Sequence, residues 1–470
     1  MKGFIASSLL VFFLFLLLTL TNKPSSNNLE KNQIKTHFPF EDYYLSRNYP
    51  DFTLEIKALE ESKKEIQNAI AERTSNPFDS AWQSIGPGNI GGRFNCLAND
   101  PENDSIIYAG SACGGIFKTK DAGQNWLPVF DDQAYLSIGH IAINPKNSNT
   151  VYAGTGDANI SGSAFIGNGI YKSTNGGESW AHLGLVQESI ISKIRVNPTD
   201  TNIVYAAAMG LPFEKHTNRG LYKTIDGGQT WDQILFINDS TGIIDLVINP
   251  KNPDIIYACS WNRVRNNQKS LTAGPDGKIH KSTDGGQTWT VLSNGLPTGD
   301  MSRIGIDIVP EHPDTLFSIY VNDQFSLQGV YATYDGGNQW WNITNNLDTD
   351  MVRNFGWYFG KIKVNPYAPN EIYALGVDLF RSTNGGQSWS MCTPIWHQYD
   401  VHADKHDLIF FNAQKLLLAT DGGLYSSIDN TINWTDPENI PITQFYHVTY
   451  NPHNINDYWG GAQDNGTMSG

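Results

Sequence analysis

The sequence predicts an all-β protein folded as a β-propeller of about seven to eight four-stranded blades, preceded by a signal segment and a short helix. The first observation is the stretch "KSTDGGQTW" at 281–289, which recurs in six other, varied copies that each end in Trp. The second is their spacing, since the Trp residues of successive copies lie 45 to 58 residues apart. A period near fifty is typical of a stacked or circular array. The third is the content of each unit, where short runs of Val, Ile and Tyr between Asn-Pro and Gly-Gly turns predict four antiparallel strands, named A to D here.

The chain begins with an apolar segment that is typical of exported proteins. Lys2 precedes an apolar run at 4–20, and a polar stretch follows it. We predict that residues 1–22 are a signal peptide or, because no small-residue cleavage site follows, an uncleaved N-terminal anchor. The protein is therefore expected to be secreted, or to lie at the cell surface or in the periplasm, and to contact a membrane only through this segment.

Residues 23–80 are predicted to form a polar linker and an amphipathic helix. Within 51–74, apolar side chains recur at helical spacing and charged residues occupy much of the remainder. The propeller is predicted to occupy residues 81–470. Its last stretch supplies strands A and B of an eighth unit, so we expect either a propeller truncated in its eighth blade or an eight-bladed ring with a degenerate last blade.

Composition excludes some classes of partner and site. The formal net charge is −15, and there is no basic patch of the kind that nucleic-acid binding needs. The four Cys residues lie far apart with no Cys-x-x-Cys spacing, so we interpret them as small buried residues and not as a disulfide framework.

The seven repeated boxes are interpreted as structural joints. In the pattern S/T-x-D-x-G-x-x-W, the acidic or amide side chain can accept hydrogen bonds from its own turn, the Gly supplies positive φ, and the Trp ring packs between blades. Asn replaces Asp in two copies, which a backbone-bonding role tolerates and an acid–base role does not. The box residues are Asp121, Asn175, Asp226, Asp284, Asp335, Asn384 and Asp429.

The strand order predicts which rim of the ring carries function. The A–B turns and the boxes, which join C to D, share one rim, so the B–C loops and D–A links share the other. The B–C loops vary in length, as binding loops on a fixed scaffold do. We predict that ligand-binding side chains lie on this second rim, together with Asp157 and Asp464; the candidates are Arg93, Arg303, Arg353, Trp357, Asp421, Gln463 and Asn465.

The densest group of functional residue types is "VHADKHD" at 401–407. In an extended chain, His402, Asp404 and His406 point the same way, so they could bind a divalent metal. The alternatives are direct contact of these side chains with a ligand and a hydrogen-bonded network that anchors the D–A link. No cofactor is predicted with certainty, and the divalent metal is the one candidate.

The boxes resemble the Asp-box (BNR) repeat of sialidases, sortilin-type receptors and two-propeller xyloglucan hydrolases. Further motifs, among them "IGPGNIGGR", "SACGGIFKT", "ATDGGLYSS" and "YWGGAQDNGT", are similar to those of exported bacterial sortilin-like (VPS10-type), glycosyl hydrolase-like propellers. The resemblance covers nearly everything after residue 82. It implies the propeller fold, but one fold hosts many functions, so it does not define a reaction.

Two functions fit these observations. The main hypothesis is an exported propeller that binds carbohydrate or peptide on the rim opposite the boxes. The alternative is a glycoside hydrolase with paired carboxylates on that rim, for which Asp157, Asp404 and Asp464 are the catalytic candidates. The resemblance to xyloglucan hydrolases implies a catalytic Asp just before the "VGG" of the first unit; here that stretch reads "SACGG" at 111–115, with Ala112 at the equivalent point. The enzyme class therefore stays open at this level.

Overall fold

The computed structural model of the chain describes residues 61, 62, 65, 68, 91–160, 165–265, 270–394, 401–437 and 439–469. The predicted signal segment lies outside the described residues. So does most of the predicted helix, of which the four described residues between 61 and 68 are helical and exposed. Within the described part of the chain, no helix has the length and apolar character needed to cross a membrane.

The regular secondary structure of the described chain is almost entirely strand, and the predicted propeller fold is confirmed. Four sheets of four antiparallel strands come first along the chain. Blade 1 contains β1 (Phe94–Asp100), β2 (Asn103–Ser111), β3 (Ile116–Thr119) and β4 (Leu127–Pro128). Blade 2 contains β5 (Ile138–Asn144), β6 (Asn147–Thr155), β7 (Ile170–Ser173) and β8 (Ala181–His182). Blade 3 contains β9 (Ile191–Val196), β10 (Val204–Ala208), β11 (Gly220–Thr224) and β12 (Asp232–Leu235). Blade 4 contains β13 (Thr241–Ile248), β14 (Ile256–Asn262), β17 (Ile279–Ser282) and β18 (Thr290–Leu292), with a small hairpin of β15 (Val264–Arg265) and β16 (Ser270–Leu271) in its B–C loop.

Three further blades and a separate sheet follow. Blade 5 contains β19 (Met301–Ile308), β20 (Leu316–Asn322), β21 (Leu327–Thr333) and β22 (Trp341–Asn342), and a 3₁₀ turn (Thr349–Val352) follows it. Blade 6 contains β23 (Lys361–Val364), β24 (Ile372–Leu375), β25 (Leu379–Ser382) and β26 (Ser390–Met391). Blade 7 contains β27 (Lys405–Phe410), β28 (Leu416–Thr420) and β29 (Gly423–Ser427), with Thr435 bridging to Ser426 in place of a fourth strand. The last sheet contains β30 (Phe445–Asn451), β31 (Asn454–Ala462) and β32 (Thr467–Ser469).

The ring closes between blade 7 and blade 1. The backbone N–H of Leu97 in β1 donates to the Asp407 carboxylate in β27 at 2.9 Å. Phe94 and Leu97 also share one apolar cluster with Leu417 and Leu424 of blade 7. The sheet of β30 to β32 therefore does not stand between these two blades. The stretch predicted as strands A and B of an eighth unit forms a three-stranded sheet of its own.

Each Asp box closes a turn on its own backbone. In blade 3, the Asp226 carboxylate accepts from the backbone N–H of Thr230 at 3.0 Å, and the Thr224 hydroxyl accepts from the N–H of Gly228 at 2.9 Å. The box of Asn175 makes the same bond through its amide oxygen, at 3.0 Å from the N–H four residues later. Because only an acceptor oxygen is needed, Asp and Asn are interchangeable here.

The boxes also join neighbouring blades. The carbonyl of Gly176, in the box of blade 2, accepts from the Tyr108 hydroxyl at 2.9 Å and from the Lys118 ammonium at 2.7 Å, both in blade 1. Gly176 has a φ of 68°, a conformation that disfavours residues with a Cβ. The Trp180 indole of the same box donates to the Val129 carbonyl at 2.7 Å. The next three pairs of blades repeat the Tyr and Lys bonds.

The strand register separates the two rims. In blade 1, Thr119 at the box end of β3 pairs with Ile107, whereas Ser111 at the far end of β2 pairs with Phe94, where β1 begins. The B–C turns and the beginnings of the A strands therefore share one rim, called the B–C rim below, and the boxes occupy the opposite one.

Candidate functional site

A chain of buried, hydrogen-bonded polar side chains lies at the B–C rim, where the A strands begin. Arg93, which is 6% exposed, lies 3.2 Å from the carboxylate of Asp157, which is fully buried. Arg93 also donates to the Tyr358 hydroxyl, which in turn donates to Asp421 at 3.2 Å. Burial lowers the pKa of the Arg93 guanidinium, but Tyr358, Asp157 and Asp421 outweigh it, so this side chain is charged. The network joins blade 1, the loop of blade 2, the link before blade 6, and blade 7.

His406 orients the Asp421 end of this network. Its Nε2 contacts the Asp421 carboxylate, and its Nδ1 lies 3.5 Å from the amide nitrogen of Asn159. Burial lowers the pKa of His406, so a neutral ring that donates from Nε2 and accepts at Nδ1 satisfies both contacts. Burial opposes the ionisation of Asp421, but His406 and Arg93 outweigh it and hold the pKa of Asp421 at about 2.

Two asparagines and an arginine form the layer beneath this network. Asn159 donates to the Asn95 amide oxygen at 3.2 Å and accepts from Arg303 at 2.8 Å. Asn95 lies 3.4 Å from the Asp157 carboxylate, and Arg303 also donates to the Tyr358 carbonyl at 3.0 Å. These bonds fix Asp157 and Tyr358 from below and leave the carboxyl end of the network facing the rim.

Three carboxyl groups with contrasting proton affinities meet at that end. The backbone N–H of Asp421 donates to the Asp404 carbonyl at 3.2 Å. Burial, followed by the charge of Asp421, raises the pKa of Asp404 to about 7. Burial also raises the pKa of the more exposed Asp464, and a side-chain hydrogen bond to Asp421 adds to the rise. Asp421 therefore holds the negative charge, while Asp404 and Asp464 hold protons more tightly than ordinary carboxyls.

The segment predicted as a metal site is not extended. Asp404 has a φ of 69°, and β27 begins only at Lys405, so the alternation of a strand does not apply to residues 402–404. His406 points into the buried network, whereas His402 contacts the carbonyls of Ala403 and Asp464. Among the residues that the structure describes, no three His, Cys, Asp or Glu side chains are placed to hold a metal ion. The prediction that the three side chains align was wrong for this backbone reason.

His402 links the turn of Asp404 to the last sheet. Its Nε2 lies 3.0 Å from the Asp464 carbonyl, and its ring packs against Gly422, where any Cβ would clash with the imidazole. Gln463 donates to the Asp464 carboxylate at 2.7 Å, and Asn465 donates to the Asp421 carbonyl at 3.4 Å. The residues of 463–465 are thus held against blade 7.

Two other predicted residues, Arg353 and Trp357, lie outside the hydrogen-bonded network. Arg353 is half-exposed and pairs with Asp350 at 3.0 Å and more loosely with Asp378. Trp357 packs against two apolar clusters and stacks on Arg263, whose Cζ lies 5.2 Å from the ring centroid. Trp357 is partly exposed, so its role in ligand binding stays a prediction.

Sequence reasoning missed three members of the network. Tyr358 was overlooked beside Trp357, and no motif signals it. Asn95 could have been found, because it lies two residues after Arg93 at the beginning of β1, where strand alternation would predict the same face. Asn159 lies two residues after Asp157, and its backbone N–H donates to that carboxylate at 3.0 Å.

Comparisons with known proteins agree with the fold. The Sortilin-Vps10 family, described as sortilin, neurotensin receptor 3, matches residues 168–305. A xyloglucanase of Paenibacillus sp. is 26% identical over 376 residues, which are 72% of this chain and 34% of that protein. Xyloglucanase Xgh74A of Acetivibrio thermocellus is 25% identical over 68% of this chain and 40% of its own length. The chain thus spans little more than a third of these curated relatives.

Solved structures give the same architecture. The GH74 enzyme of Niastella koreensis superposes with a TM-score of 0.62 at 18% identity, over 83% of this chain and 60% of that one. The GH74 xyloglucanase of Xanthomonas campestris gives 0.63 at 17% identity, with the same coverage. At such identities the match shows the fold alone. Together, the comparisons confirm the resemblance of this chain to the Asp-box β-propellers of the sortilin-like, glycosyl hydrolase-like family.

Proposed function

We propose that the protein is a glycoside hydrolase that acts on a polysaccharide of the xyloglucan type, at the carboxyl cluster on the B–C rim. The observation that carries the proposal is the contrast among Asp404, Asp421 and Asp464, whose environments separate their pKa values. Glycosidic cleavage needs one carboxyl that donates a proton and a second that acts as a base or nucleophile. The curated relatives, which are xyloglucanases, support this function over a binding role alone.

The two accessible carboxyls have different roles in this proposal. Asp404 is the proton donor, because its pKa of about 7 keeps it protonated in mildly acidic solution. Asp464 is more exposed, so water or a sugar ring can reach it, and it acts as the base or nucleophile. Asp421 is a positioning residue, because its oxygens are bonded to His406 and Tyr358. Asp157 is fully buried against Arg93 and is therefore withdrawn as a catalytic candidate in this proposal.

A second candidate function is polysaccharide binding without cleavage. Ala112, the residue that stands where the resemblance implies a catalytic Asp, is fully buried on the B–C turn of blade 1. If that carboxyl is indispensable, this rim retains a glycan without hydrolysing it. Export, expected from residues 1–22, belongs to both proposals, and sequencing of the N-terminus of secreted protein tests it.

The test is hydrolysis of xyloglucan by the full chain and three variants. Reducing-end release and retention on immobilised xyloglucan are measured for the parent protein, Asp404→Asn, Asp464→Asn and the control Asp226→Asn. The control changes a box carboxylate on the opposite rim to the residue that two other boxes already contain. We expect Asp404→Asn and Asp464→Asn to lose at least about a hundredfold in kcat, the contribution typical of general acid–base catalysis, and the control to retain full activity.

Two further measurements separate the roles. Aryl glycosides with good leaving groups need little proton donation, so they should restore turnover to Asp404→Asn but not to Asp464→Asn. Azide should rescue Asp464→Ala, because the truncated side chain leaves room for an anion in place of the lost carboxylate. Retention of xyloglucan without reducing-end release by the parent protein would instead establish the binding function and end the hydrolase proposal.

A further inference from the structure

A cavity lies on the axis of the ring, beneath the layer of Asn95, Asn159 and Arg303. The A strands of all seven blades line it. Its charged lining is unbalanced, with five cationic and three anionic side chains. The cations are Lys193, Arg195, Arg303, Lys361 and Lys363, and the anions are Asp245, Asp307 and Asp407. His140 adds no charge, because burial lowers its pKa well below the ordinary value.

The three carboxylates are already engaged. Each accepts a backbone N–H from the A strand of the next blade, at 2.8 to 3.2 Å. Asp245 also pairs with Lys193 at 3.1 Å, and Asp407 pairs with Lys363 at 2.6 Å. These bonds link the A strands and neutralise two of the lysines.

Lys361 and Arg303 supply positive charge without a carboxylate. Neither lies within 4.0 Å of a carboxylate oxygen among the described residues. Within the same part of the chain, the Lys361 ammonium donates one hydrogen bond, to the Asn95 carbonyl at a long 3.3 Å. Burial and the charge of Arg303 lower the pKa of Lys361 to about 7. A partly buried ammonium with so little compensation is costly, so the group either loses its proton or gains a counter-charge that keeps it charged.

We propose that the axial cavity binds a small monovalent inorganic anion of the halide class beside the Lys361 ammonium. A single negative charge offsets the Lys361 ammonium, which has no carboxylate partner, and the excess of two cations over anions in the lining favours an anion there. The site lies behind the carboxyl cluster and is independent of any reaction there. Its role is to hold blade 6 to blade 1 through Lys361 and Asn95.

Two measurements on the full chain test this site. The first is the Tm as chloride replaces gluconate at constant ionic strength, for the parent protein, Lys361→Met and the control Lys172→Met. Lys172 bonds the Gly227 carbonyl at 2.9 Å, so the control removes a lysine of a box joint outside the cavity. The parent and the control should gain about 2 °C for each tenfold rise in chloride above its Kd, and Lys361→Met should show no dependence.

The second measurement locates the anion. Crystals of the parent protein soaked in bromide should show an anomalous peak on the ring axis near the Lys361 Nζ, and crystals of Lys361→Met should lack it. The absence of that peak in the parent, or equal chloride dependence in the parent and Lys361→Met, would overturn the proposal. Stabilisation by sulfate and not by chloride would overturn the halide assignment.

Discussion

Replacing Arg93 by Met tests whether the buried network holds the ring together. The change leaves Asp157 fully buried without its cation at 3.2 Å and removes the donor to the Tyr358 hydroxyl. Removing one partner of a buried ion pair typically costs about 3–5 kcal/mol, because the other charge is left uncompensated. Asp157 keeps donors from the Asn159 N–H at 3.0 Å and from Asn95 at 3.4 Å, so we expect the lower end, about 3 kcal/mol.

The assay is urea unfolding at pH 7, followed by Trp fluorescence, with an exposed ion pair as the control. Lys215 pairs with Asp239 at 3.4 Å, but the two side chains are 59% and 49% exposed, so Lys215→Met should cost less than about 1 kcal/mol. The double variant Arg93→Met/Asp157→Asn should be less destabilised than the sum of its single changes, because it no longer buries an unpaired charge. If Arg93→Met cost no more than Lys215→Met, the network would not stabilise the ring and the reasoning would fail.

The cost of Arg93→Met also depends on pH. Arg93 helps to lower the pKa of Asp421 to about 2. A carboxyl whose pKa is lower in the folded than in the unfolded protein adds stability above about pH 4, and this stability disappears as the pH falls towards 2. The share of the cost that acts through Asp421 should therefore be present at pH 7 and vanish between about pH 4 and pH 2.

Three further predictions concern single side chains. Because the pKa of Asp404 is raised to about 7, the folded protein should lose stability as the pH rises from about 4 to 7. Asp404→Asn should therefore be more stable than the parent at pH 8, by up to about 4 kcal/mol, but not at pH 3.5. Urea titrations at both pH values measure this difference, and equal stabilities at pH 8 would contradict it. Thr224→Val leaves the buried N–H of Gly228 without its acceptor at 2.9 Å and should cost about 1–3 kcal/mol by urea unfolding, whereas an unchanged midpoint would mean that the box turn needs no side-chain acceptor. Trp261→Phe removes a fully buried indole that donates to the Thr272 carbonyl at 2.8 Å. It should lower the unfolding free energy by about 1–3 kcal/mol and leave the KM for xyloglucan unchanged. A raised KM with unchanged stability would show instead that this Trp contacts the glycan.

The sequence predicted the fold because its signals are local and repeated. A box of nine residues determines its own turn through bonds such as Asp226 to Thr230, and its Trp and Gly then determine how it meets the preceding blade. The same regularity allowed the strand order to place Arg93, Asp157 and Asp421 on one rim, since antiparallel pairing fixes which turns lie together. Strand order alone does not make them one network, because Tyr358 joins Arg93 to Asp421.

What the sequence did not predict depends on irregular backbone and on distant contacts. The positive φ of Asp404 interrupts the alternation that would have aligned it with His402 and His406. Tyr358 lies on a D–A link, where no period assigns a direction to a side chain, and its partner Arg93 is 265 residues away along the chain. The closure of blade 7 on blade 1 was also not predicted, because no motif indicates the hydrogen bond from the Leu97 N–H to the Asp407 carboxylate.

The position of the carboxyl cluster follows from the way the ring closes. Asp404 and Asp421 belong to blade 7, and Arg93 belongs to blade 1, so the network spans the junction where the two ends of the ring meet. Asp464 lies just beyond β31, in the sheet outside the ring, and the bond from His402 to its carbonyl brings this sheet against the same junction. A carboxyl pair that bridges two separately folded sheets can be aligned only when both are in place. The ionic network lies at this junction, so under the proposed function a change at Arg93 should reduce stability and hydrolysis together.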